Sequence, residues 1–437
     1  MRLAICTLAL GLAAGLAAVH TATTASADEI GAQTPAQLLT SAADEILRQV
    51  VALRGLSSRS KVQRGVLSRT QIGAKLRERV DEEYTAAEVS AETRVLRRLG
   101  LLPVGLDYKK LLIDLLMEQV AGFYDPKLKR LYIADWLPLD MQRPAIAHEL
   151  EHALQDQHFD LLALTKPIKD DGDRQLAHAA LVEGDGTAVM LELQAQSMRL
   201  PVEQLPDLVS QLGEQLLHGA PGQTPAFDGA PTYVRDTLIF PYLEGLRFVM
   251  ALRRGKPWSR IDAAFKQPPS STEQILHPDR YLSHDEPVLI DAAPLAQLAP
   301  RKEIRRDVMG ELGLRILFRT RLPEPQADAA AAGWGGDRLV AYASDDRPVP
   351  VLVDRSAWDT ELDAKEAFDA FAALFGKITG AKAAATETSA RYVDTNGEVW
   401  RVERRGADLV VLLGAPALDD KLFDEAWTAL HVHAATK

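Results

Sequence analysis

The sequence predicts an α+β fold: a mostly helical body with a small edge sheet, followed by a small α+β segment. Three observations predict it. Apolar residues recur at helical spacing through most of the chain before Pro323, a hairpin pattern interrupts them between Gln119 and Asp135, and strand-like runs flank one amphipathic helix beyond Gly336. At 437 residues the chain exceeds what one core usually organises, so more than one domain is expected. With 47% hydrophobic and 25% charged residues, the composition is that of a folded protein.

In chain order, Met1 and Arg2 lead into an apolar run from Leu3 to Val19 and a small-residue stretch ending Ala25-Ser26-Ala27. These are the three parts of a secretory signal peptide, so residues 1–27 are expected to be removed and the mature chain to be periplasmic or secreted. Cys6, the one cysteine, would leave with the signal, and no thiolate is then available as ligand or nucleophile.

Thr34 to Leu53 has the spacing of an amphipathic helix, Lys61 to Leu67 reads as a strand, and Ser68 with Gln71 forms a capping box for the next helix. A further helix is expected from about Ser90 to Leu101. Between Gln119 and Asp135, apolar residues flank the turn-like Asp125-Pro126-Lys127, which reads as a hairpin. The next helix starts near Asp140, with that side chain as its cap and Pro144 in its first turn. Further helices are expected over Arg174 to Met198 and through Phe240 to Phe265.

Residues 28–322 are therefore expected to form one body with a helical N-terminal part. The Pro-, Ala- and Gly-rich stretch from Pro323 to Gly336 reads as a linker. Beyond it, residues 337–437 carry strands near Leu339 to Ala343, Val349 to Val353, Val399 to Val402 and Leu409 to Leu413. They also carry helices over Glu361 to Phe375 and at the end, the pattern of a separable domain with its own core. No internal repeat is visible.

A formal charge of −11 lacks the footprint of a nucleic-acid or anionic-membrane binder. Short basic clusters such as Arg305-Arg306 and Arg404-Arg405 read as solvated faces.

The most specific signal is His148-Glu149-Leu150-Glu151-His152. On an α-helix, histidines four residues apart are offset by about 40° and one turn, so both imidazoles can reach one metal ion. Glu149 can then act as general base toward a zinc-activated water, since zinc lowers the pKa of its water toward neutrality. A catalytic zinc needs a third protein ligand, and two residues compete for that place. His158 stands at the third-histidine position of an HExxHxxGxxH site, but Gln155 replaces the helix-breaking glycine, which turns His158 to another face. Glu183 follows the apolar run Ala179 to Val182 and sits beside Gly184 and Gly186, whose cost in a helix suggests a close backbone approach. Glu183 is the preferred ligand.

With these residues in hand, the chain resembles the gluzincin group of zinc peptidases and, more closely, a set of exported prokaryotic zincin-like proteins. The matching segments are Gln119 to Pro126, His148 to Phe159, Ala180 to Thr187, Phe240 to Phe248 and Ser271 to Pro278. The resemblance implies a zincin-like fold with one Zn2+ per chain, held by His148, His152 and Glu183 between two helices. It implies a peptide or protein substrate. The acidic charge argues against a nucleic-acid partner, and no membrane span is expected after signal cleavage.

It departs from the pattern at Thr187, where many gluzincins carry an acid supporting a zinc-bound histidine. Asp185, His178 or Asp156 could take that role. The oxyanion needs a donor, for which His277 is the first candidate, at the end of a short helix starting at Ser270-Ser271, with Tyr281 and Tyr242 as alternatives. The strand at Leu131 to Ala134 is expected to form a rim of the cleft. The rival reading is a zincin-like binding or scaffold protein of the cell envelope without turnover.

Overall fold

Capping boxes that the chain can close locally mark the first helices. In the computed structural model, which describes residues 35–200, 225–254, 257–416 and 420–433, α1 (Pro35–Arg54) leads to β1 (Gln63–Leu67). Ser68 and Gln71 then cap each other to open α2 (Arg69–Glu83), and Thr85 with Glu88 does the same for α3 (Ala86–Arg98). Asp107 caps α4 (Tyr108–Gln119), and the hairpin of β2 (Gly122–Asp125) and β3 (Arg130–Ala134) follows. The expected signal peptide and Cys6 lie outside the described residues.

The helical body continues with α5 (Leu139–Phe159), α6 (Leu161–Leu164) and α7 (Gly172–Ser197). The cap position of α5 falls on Pro138 rather than Asp140, and the helix ends at Asp160, whose backbone is left-handed. Next come α8 (Pro225–Asp228), α9 (Thr232–Arg253), α10 (Ser259–Lys266), α11 (Thr272–Leu276) and α12 (Pro278–Leu282). Helices α7 and α9 meet backbone to backbone: a Cβ on Gly184 would lie 2.2 Å from the Gly245 carbonyl carbon, and one on Gly245 would lie 2.1 Å from Ala180 O. Only glycine fits at either place.

In the small sheet the order is β1-β3-β2, with β1 parallel and β2 antiparallel to β3. The strand expected to rim a cleft, Leu131 to Ala134, is thus the central one. Its backbone is paired on both sides, so it presents no edge, and the edge nearer the motif helix belongs to β2.

The C-terminal half contributes β4 (Ile290–Ala292), β5 (Lys302–Asp307), α13 (Gly310–Arg319), α14 (Glu324–Ala331), β6 (Trp334–Ala343) and β7 (Val351–Trp358). It ends with α15 (Glu361–Thr379), β8 (Ala384–Ala385), β9 (Ser389–Val393), β10 (Val399–Arg405), β11 (Asp408–Ala415), α16 (Asp420–Ala429) and β12 (Leu430–Val432). An antiparallel sheet runs β5-β6-β7-β11-β10-β9-β8, and β12 pairs with β4 apart from it. The alternation along β11 explains its unbroken apolar run. Leu409, Val411 and Leu413 face Phe368 and Phe371 of α15, whereas Val410 and Leu412 face Phe423 and Trp427 of α16.

Three expectations are corrected here. Residues 323–336 are not a linker but helix α14 and the start of β6. Alanine, which helped the stretch to read as a linker, is the best helix former, and Ala327, Ala330 and Ala331 pack inward. Nor do residues 337–437 have a core of their own, because the sheet already includes β5, and one apolar cluster runs from Val95 in α3 to Leu413 in β11. Arg305, expected on a solvated face, has a side chain only 8% exposed that pairs with Glu92 and Asp307, and Arg98 donates to Glu398 at 2.6 Å. These ion pairs join the helical body to the sheet. The fold is α+β, and among the described residues no helix is long and apolar enough to cross a membrane.

Candidate metal centre

Helix α5 carries His148, Glu149 and His152, and α7 lies across it with Glu183. Helical spacing puts the two imidazoles on one face, and burial between α5 and α7 turns that face inward. His148 Nε2 lies 2.9 Å from His152 Nε2 and 3.0 Å from Glu183 Oε2, and the third edge, His152 Nε2 to Glu183 Oε2, is 3.3 Å. Two donors on a tetrahedral zinc with bonds of roughly 2.0–2.1 Å stand about 3.3 Å apart, so this triangle is slightly contracted but of the right size.

Three electron-pair donors facing one point repel one another unless a proton or a cation lies among them. The ion-free chemistry reflects this. Burial works to raise the Glu183 carboxyl, but His152 and the hydrogen bonds from both rings hold it down at about 2. Burial disfavours a charged His152, yet Glu183 lifts that ring to about 9, while burial and His152 together lower His148. Glu183 Oε1 and Glu149 Oε1 are buried without a hydrogen-bond partner, as is Thr187 Oγ1. Acceptors orphaned in this way fit a cation site.

Gly186 makes room for His148: a Cβ there would lie 2.9 Å from its Cε1 and 3.1 Å from its Nδ1. The two glycines that follow the ligand position thus do different work, Gly184 admitting α9 and Gly186 admitting the imidazole. Glu149 is held from β2, where the Tyr124 N–H donates to its Oε2 at 2.6 Å. Burial pushes the Glu149 carboxyl up to about 8, with His152 opposing and Glu183 adding.

The structure brings Glu183, and not His158, to the two histidines. His158 turns away and meets Ser57 O at 2.8 Å. Of the three residues considered as histidine supports, His178 faces Leu164 O, and Asp156 accepts from the Tyr124 hydroxyl and Lys129. Asp185 accepts from Arg54 and from Gln155, whose amide oxygen faces His152 Nδ1 at 2.8 Å.

His277 does not join the group. It caps α11, and its Nε2 stands 3.0 Å from Glu311 on α13, a buried carboxylate that draws the ring and raises its pKa. Tyr281 donates to Gln267 O, whereas the Tyr242 ring lies 6.2 Å from that of His148. Sequence reading missed Gln155, Arg54 and the Tyr124 N–H. For Gln155 the only signal was its place one turn beyond His152, on the same helix face.

Residues 297–422 match a family model described as "Domain of unknown function (DUF8575)". That range covers β5 through β11 and the start of α16, and leaves out α5 and α7. No curated protein and no solved structure matches the chain.

Proposed function

We propose that the chain is an exported, gluzincin-type zinc peptidase, with one zinc held by His148, His152 and Glu183 and with Glu149 as general base. What carries this reading is the convergence of two Nε2 atoms and one carboxylate oxygen from separate helices, beside a second glutamate. A mixed nitrogen and oxygen donor set with three protein ligands suits zinc. Bound there, zinc supplies Lewis acidity toward water and toward the scissile carbonyl.

The chain's own part is orientation and proton handling. Because Tyr124 N–H ties Glu149 Oε2, Oε1 is the atom that takes a proton from water as the water oxygen attacks the carbonyl carbon. Glu149 then passes that proton to the amine nitrogen as the C–N bond breaks. Tyr242, whose ring lies 6.2 Å from that of His148, takes the place of His277, which is engaged by Glu311, as the candidate oxyanion donor. Export rests on the pattern of residues 1–27 alone.

One observation favours a second reading, a zincin-like binding protein without turnover. His148, Glu149, His152 and Glu183 are each only 1–2% exposed, which suits a structural ion as well as a catalytic one. Hydrolysis of a casein-like substrate by the zinc-loaded protein separates the two. The peptidase reading expects turnover that falls at least ~100-fold in Glu149→Gln with zinc retained. Full zinc loading with no turnover on any peptide substrate would favour the binding protein.

A further inference from the structure

We infer that Gln155 is the positioning residue for His152, fixing the tautomer and orientation of that ring, and that Asp185 and Arg54 hold Gln155 in turn. The inference deepens the metal-site reading above and rests on it. Gln155 is fully buried one turn beyond His152. Its Nε2 donates to Val182 O at 3.1 Å and to Asp185 Oδ2 at 2.9 Å. A backbone carbonyl can only accept, so the contact with Val182 O fixes the amide nitrogen on this side, and Asp185 Oδ2 takes its second N–H. The amide nitrogen must therefore point at these two, which leaves Oε1 to face His152.

An amide oxygen can only accept, so His152 Nδ1 carries the proton across the 2.8 Å contact. In the neutral ring that binds a metal, the lone pair then lies on Nε2, the atom that converges with His148 and Glu183. A neutral amide does here what a carboxylate or backbone carbonyl commonly does behind a metal-bound histidine. It adds no negative charge to a site that already holds Glu149 and Glu183.

The outer half of the chain of contacts is rigid. Arg54, the last residue of α1, is buried and gives Nε to Asp185 Oδ1 at 3.0 Å and a terminal nitrogen to Asp262 Oδ1 at 2.8 Å. The same guanidinium stands 3.4 Å from Glu151 and 4.7 Å from the Trp258 ring centroid. Asp185 therefore cannot swing away from Gln155 without leaving a buried arginine short of a partner. Through Arg54, α1 reaches a side chain that sets the geometry of the proposed metal ligand.

The test uses zinc alone as probe, in competition with a chromophoric chelator. Gln155→Met keeps the length of the side chain and removes its polar atoms. It is expected to lower zinc affinity by about 10- to 100-fold and to change the visible spectrum of the cobalt-substituted protein, with the circular dichroism of the native chain retained. A second measurement reads the native ring itself. In 15N-histidine-labelled native protein, His152 should show a slowly exchanging Nδ1–H proton, assigned by its loss in His152→Ala.

Native zinc affinity in a folded Gln155→Met protein, or a His152 ring with no proton on Nδ1, would overturn the inference. Failure of the metal-site reading looks different: the native chain takes up no zinc, or His152→Ala binds zinc as the native chain does. Slow exchange of the Nδ1–H proton in the metal-free native chain, lost in Gln155→Met, then still decides the role of Gln155.

Discussion

Replacing Gly186 by alanine puts a methyl carbon 2.9 Å from His148 Cε1, 3.1 Å from Nδ1 and 3.2 Å from Nε2. Non-bonded carbons settle near 3.5–4.0 Å, so the ring must withdraw by roughly half an ångström. It has little room, because it is buried, packs edge-on against His152 with centroids 4.5 Å apart, and has Tyr242 nearby. Metal ligands hold their distances to within about 0.2 Å, so the shift exceeds what the centre tolerates. Global stability moves less. Alanine gains about 1 kcal/mol of helix propensity over glycine, and local overpacking costs about 1–3 kcal/mol. We therefore expect Gly186→Ala to unfold within about 2 kcal/mol of the native protein while losing ~10-fold or more in zinc affinity. Denaturant unfolding of the metal-free chain and chelator competition measure the two separately. Native zinc affinity in a folded Gly186→Ala protein would refute the argument that this glycine exists to admit His148.

Gly245→Ala should behave differently, since its Cβ would meet Ala180 O at 2.1 Å and the clash is with backbone. A loss of about 3 kcal/mol or more is expected in denaturant unfolding, with no selective effect on zinc. Cutting the chain after Leu322 should give an insoluble product, because it strips β5 of its partner and exposes Leu314 and Phe318. A soluble, zinc-binding remainder would show two folding units. Glu273 supplies a pH test. Burial, with Glu311 and Asp359 adding and Arg280 opposing, raises its carboxyl to about 9. The folded state thus holds a proton that the unfolded chain loses near its ordinary value, and stability from this group falls as pH rises from there toward about 9. Its slope is at most about 1.4 kcal/mol per pH unit. Glu273→Gln should flatten that slope in unfolding measured across the window, and an unchanged slope would remove Glu273 as its source.

What could be read from sequence was what depends on near neighbours in the chain. Ser68 and Gln71 cap each other across three residues, and the pairing in the structure follows the pattern. His148 and His152 share a face by helical spacing alone, and Glu183 stood out because an acid lay between an apolar run and two glycines. The misreadings are non-local. Pro323 to Gly336 has the composition of a linker, and it is packing of its alanines against α13 and α15 that fixes it as helix and strand. Arg305-Arg306 looks like a solvated pair until Glu92, from a helix far earlier in the chain, is brought beside Arg305. Arg54 reaches Asp185 across 131 positions, a pairing that no local pattern announces. His277 was placed correctly at a helix end, but its partner Glu311 belongs to a helix that sequence reading had not identified.

The most direct test of the central claim is zinc-edge X-ray absorption on the purified full-length chain, with metal content determined on the same sample. The account predicts one zinc per chain, with scattering from two imidazoles and no sulfur, and with nitrogen and oxygen neighbours at roughly 2.0–2.1 Å. A chain that carries no zinc, or a centre with three imidazoles that would bring in a histidine other than His148 and His152, would contradict it.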